Sequence, residues 1–97
     1  MIYDFKTPYG EKLKVSISKN KYAKGGIALE MIDESDGTRH AVCTVWIPGL
    51  REDEVAIKDY SENVGVLDFL VRNNFVEKPH RTQQSGFVTL HICKIID

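Results

Sequence analysis

The chain has 97 residues, 42% of them hydrophobic and 28% charged, with a net charge of −1. That is one domain, 1–97, with a thin core, because a chain of this length buries only about 60–65% of its unfolded surface. The composition excludes a disordered chain, no apolar run approaches the ~20 residues of a membrane-spanning helix, and the balance is too neutral for a dedicated DNA-binding domain.

Period-2 alternation dominates the first half. Ile2 to Phe5 is a short β-prone run, and Thr7-Pro8-Tyr9-Gly10 has turn chemistry. Glu11 to Lys19 then places Leu13, Val15 and Ile17 on one face and Lys or Ser on the other, so the first two strands read as a hairpin. Asn20 to Gly26 is a Lys-rich loop. Ile27 to Ile32 is a third strand, and Asp36-Gly37 signals a tight turn. Arg39 to Ile47 is apolar on both faces, which predicts a central strand ended by Pro48-Gly49.

The period changes after a surface loop, Arg51 to Glu54, and a short run, Val55 to Ile57. Val64, Leu67, Leu70 and Val71 have helical spacing, predicting one helix over 62–73 with Ser61 as N-cap and Asn73-Asn74 at its end. Glu77 to Gly86 reads as a polar loop and Phe87 to Ile96 as a long final strand. The sum is an α+β fold: an antiparallel sheet of five or six strands, partly curled, with one helix on a face.

The near-neutral total hides a segregation: residues 1–24 carry +4, residues 30–62 carry −6 and residues 63–97 carry +1. One functional meaning is an acidic face for a basic partner, through Asp33, Glu34, Asp36, Glu52, Asp53 and Glu54. Another is nucleic-acid contact through Lys12, Lys14, Lys19, Lys21 and Lys24, with Tyr3, Phe5, Tyr9 and Tyr22 in the same region to stack on bases. The plainer alternative is a pair of solvated strand faces, since Lys alternating with apolar residues is ordinary on a half-exposed strand.

Two Cys and three His invite a metal reading. Cys43, Cys93, His91 and His40 have the ligand types of a tetrahedral zinc site, and Cys43 would approach Cys93 if the fourth strand paired with the last. Their spacing fits no standard finger, and buried thiols beside partly exposed imidazoles are the simpler expectation, with no cofactor. Lys24-Gly25-Gly26 lacks the phosphate-loop pattern and leads into a strand. No motif frames a nucleophilic Cys, so an enzyme is not expected. Met1 to Lys6 has no basic and apolar leader pattern, which together with the two Cys predicts a reduced, cytoplasmic setting.

Several stretches carry a family resemblance: Tyr3-Asp4-Phe5-Lys6-Thr7-Pro8-Tyr9-Gly10-Glu11, Lys19-Asn20-Lys21-Tyr22-Ala23, Gly26-Ile27-Ala28-Leu29-Glu30, Leu67-Asp68-Phe69-Leu70 and Gln84-Ser85-Gly86-Phe87. They resemble an uncharacterised family of small proteins encoded on phages, plasmids and integrative elements of Firmicutes. The similarity spans nearly the whole chain and departs at Val88 to Asp97, which lacks that family's Tyr-rich tail. The resemblance supplies no catalytic motif. It implies a non-enzymatic, protein-binding inhibitor, and in size and setting it is similar to anti-CRISPR proteins that block the type II nuclease Cas9 or its guide-RNA complex. The expected contacts are the acidic turns.

Overall fold

In the computed structural model, which describes residues 1–96, eight strands and one α-helix follow the chain. Strands β1 (Tyr3–Lys6), β2 (Lys12–Lys21), β3 (Ile27–Asp33) and β4 (Thr38–Val42) form an antiparallel meander in that order. A second antiparallel sheet has the order β5 (Thr44–Val45), β6 (Glu54–Ile57), β8 (Val88–Lys94), β7 (Arg81–Ser85). The α+β class holds, but two four-stranded sheets replace the single sheet of five or six strands.

The sheets join at Cys43. The predicted strand over 39–47 breaks there into β4 and β5. The Cys43 N–H donates to the Leu29 carbonyl of β3 at 2.8 Å, and its own carbonyl accepts from Lys58 N–H, just past β6, at 2.9 Å. One residue therefore bonds to both sheets. Thr44 reinforces the corner: its hydroxyl oxygen accepts the Leu29 N–H at 3.2 Å and lies 2.7 Å from the Tyr22 hydroxyl. The two-sided apolarity that predicted a central strand reflects this corner, where side chains face a different sheet on either side of the break.

The helix differs in length from its sequence pattern. Ser61–Asn63 forms a single 3-10 turn, and α1 runs only over Val66–Arg72. Gly65 occupies the N-cap with φ 97°, a left-handed conformation that interrupts any helix begun earlier and suits a residue without Cβ. Ser61 is not the cap. Asp59 performs that role from further upstream: its Oδ1 accepts the Gly65 N–H at 3.0 Å and the Leu67 N–H at 3.1 Å. The end of the helix follows expectation, with Asn74 at φ 63°.

The supposed polar loop contains β7, whose five residues are all exposed. With neither face buried it has no alternation to read. Its register with β8 (Arg81↔Ile92 to Ser85↔Val88) is set by the two-residue turn Gly86-Phe87, where Gly86 takes the positive φ such glycine-first turns require.

The main core lies between the sheets and α1. Phe5, Val15, Leu29 and Met31 enter from the first sheet, Val55, Ile57 and Cys93 from the second, and Val66, Phe69 and Leu70 from the helix. Phe69 sits edge-on to Phe5 (5.4 Å) and Tyr3 (6.0 Å). A smaller cluster, Ile47, Ala56, Leu90 and Ile92, covers the other face of the second sheet, so β6 is buried on both sides. No helix among the described residues is long and apolar enough to cross a membrane.

Candidate functional site

The thiols and imidazoles are not assembled. Strand β8 pairs with β6 and β7, so β6 separates Cys93 from the corner that holds Cys43. Both Cys are free, buried members of the main core. Burial pushes the Cys43 thiol up to about 12 and the Cys93 thiol up to about 11. His40 is exposed, its ring 6.2 Å from that of Phe5, and His91 is half-buried. Among the described residues no group of three or more His, Cys, Asp or Glu is placed to hold a metal ion.

The six acidic residues separate into two turns at opposite ends of the β4–β5 segment. Asp33, Glu34 and Asp36 share the β3–β4 turn, and each carboxylate is oriented by a hydroxyl: Ser35 Oγ on Asp33 Oδ1 at 2.7 Å, Ser16 Oγ on Glu34 Oε2 at 2.6 Å, and Thr38 Oγ1 on Asp36 Oδ1 at 2.7 Å. The Thr38 backbone N–H, with that hydroxyl, holds the Asp36 carboxyl below its ordinary value. Hydroxyls fix direction without cancelling charge, so this turn presents an ordered negative patch.

The other turn is of a different kind. Glu52 lines a recess with Lys21, and Asp53 lies 3.6 Å from Lys94. Glu54 belongs to the interior: its side chain is only 6% exposed and accepts from Arg51 N–H (2.9 Å), His80 Nε2 (2.6 Å) and Arg81 (3.0 Å). These bonds, the backbone one foremost, hold its carboxyl down at about 2. Glu54 ties β6 to the start of β7. No local motif marks this clasp, because His80 and Arg81 lie 26 and 27 residues from Glu54.

The lysines do not form one surface either. Along β2, Lys12 and Lys14 share a parity, and Lys19 and Lys21 share the opposite parity with Val15 and Ile17. Lys24 lies over the Trp46 ring at 4.9 Å. Of the aromatics named beside them, Tyr3 and Phe5 pack on Phe69, and Tyr22 reaches Thr44. Tyr9 alone of that set is largely exposed, in the β1–β2 turn; Phe87 is fully exposed at the β7–β8 turn.

Segregation in sequence thus becomes interleaving in space. Asp4 pairs with Lys14, Glu30 with Arg39 at 2.9 Å, and the Glu34 N–H bonds to the Lys14 carbonyl, bringing the acidic turn beside the basic hairpin. Comparison with known protein families, with curated proteins and with solved structures yields no match to this chain.

Proposed function

We propose that the protein is a non-enzymatic binding module of a mobile genetic element that inhibits the type II CRISPR nuclease Cas9 by occupying one of its basic nucleic-acid-binding or domain-docking surfaces. The observation that carries the reading is the β3–β4 turn, where three carboxylates are held in place by hydroxyls. A pre-ordered anionic patch spends little entropy on docking and speeds encounter with a basic channel. The stretches resembling small phage, plasmid and integrative-element proteins supply the mobile-element setting.

The test is a pull-down and DNA-cleavage assay with Cas9 from a host that carries a related element. Complex formation with loss of cleavage is the expected result. Full cleavage with no complex removes the reading.

A further inference from the structure

A groove of about 500 Å³ lies along β1 and the start of β2, lined by Asp4, Phe5, Lys6, Lys12, Lys14 and Arg72 among others. Its charge is unbalanced. Lys6 and Lys12 stand directly opposite each other in the antiparallel register, both exposed, and like charges facing across strands destabilise a pair. Asp4 is paired with Lys14 and attracts Lys12 more weakly, so one acid faces four bases in the groove. Arg72 comes to the groove from the last turn of α1; its bond to Asp68 is a 3.3 Å surface pair, which holds it weakly. Protection of the β1 edge accounts for a lysine at position 6. It does not account for a second lysine opposite and an arginine from another element lining the same groove.

We propose that this groove binds the sugar–phosphate backbone of a single-stranded nucleic acid. Phosphates relieve the Lys6–Lys12 repulsion, and Tyr9, exposed in the turn that joins the two strands, offers a ring on which a base stacks. The site takes in Lys12 and Lys14 of β2 and none of Lys19, Lys21 and Lys24. It goes beyond Cas9 blockade and does not rest on it.

Fluorescence anisotropy with a labelled 12-nucleotide single strand of mixed sequence, starting near 50 mM salt, tests the proposal. With Lys14 already paired to Asp4, the three remaining cations (Lys6, Lys12 and Arg72) at about 0.7 each give an expected slope of log affinity on log salt of about −2. Replacing the two facing lysines (Lys6→Gln with Lys12→Gln) is expected to weaken binding at least about tenfold and to flatten the slope by about two thirds. Tyr9→Ala costs about fivefold. Lys21→Gln with Lys24→Gln is expected to change affinity less than twofold. All these positions are exposed, and circular dichroism melts verify folding. No binding by the wild-type chain at low salt overturns the proposal. So does equal loss from the two lysine pairs, which means diffuse attraction, or tighter binding to duplex than to single strand.

Discussion

Glu54 accepts hydrogen bonds on both oxygens from three separate residues, so its charge is built into the fold. Its carboxyl falls from the ordinary 4.5 to about 2 in the folded state. A depressed folded value means the contribution is complete above the unfolded value and is lost as pH falls toward 2. Glu54→Gln is expected to cost about 2 kcal/mol at pH 7, since its amide oxygen can keep the Arg51 and Arg81 bonds but the charge is lost and its NH2 replaces the acceptor that faces His80 Nε2, discounted because His80 and Arg81 are part exposed. Urea titrations at pH 7 and pH 3 check this: the gap between variant and parent is expected to shrink at the lower pH. A gap that stays constant would mean the carboxylate charge is immaterial. The thiols give a second residue-scale expectation. Cys43 and Cys93 are fully buried and protonated at neutral pH. A thiol reagent is therefore expected to react with the native chain only as fast as the core opens, and at once in denaturant.

At the scale of elements, legibility followed burial. Strands β1 to β3 have one face in the core and one in water, so alternation marked them, and the Asp36-Gly37 turn closed the third onto the fourth. Strand β7 has no buried face, and its residues carry no pattern that separates a strand from a loop. Its existence rests on backbone pairing with β8 through Gly86-Phe87. Gly86 has open space around a would-be Cβ, so Gly86→Ala tests conformation alone. About 1 kcal/mol of destabilisation is expected from the φ of 62°, read as a melting temperature lowered by about 4–8 °C. Phe87→Ser, one residue on, is expected to leave the melting temperature unchanged, because that ring touches water on every side. The helix was visible in its i, i+3 spacing, but its start was not. Ser61 had the right chemistry in the wrong place, and the cap came from Asp59 across a glycine. The corner at Cys43 was hidden because a run apolar on both faces reads equally as a central strand and as a strand that changes sheets.

For the whole molecule, the sequence showed how much charge there is and the fold showed where it goes. The candidate contacts were chosen by type, and type alone cannot separate a solvated carboxylate from Glu54 inside its clasp. Nor can it show that Lys12 and Lys21 lie on opposite faces of one strand, since that depends on unbroken pairing along all of β2. Turn 33–36 keeps its charge ordered at the surface, and the proposed inhibitory contact belongs there. The most direct measurement is Cas9 cleavage of target DNA with increasing amounts of two proteins: the wild-type chain and a variant carrying Asp33→Asn, Glu34→Lys and Asp36→Asn. Asparagine keeps the turn-holding acceptor oxygens while removing charge, so folding is preserved. Cleavage is expected to stop with the wild-type chain and to persist at about tenfold higher variant concentration. Equal inhibition by both proteins, or none by either, contradicts a charged turn acting as the docking surface.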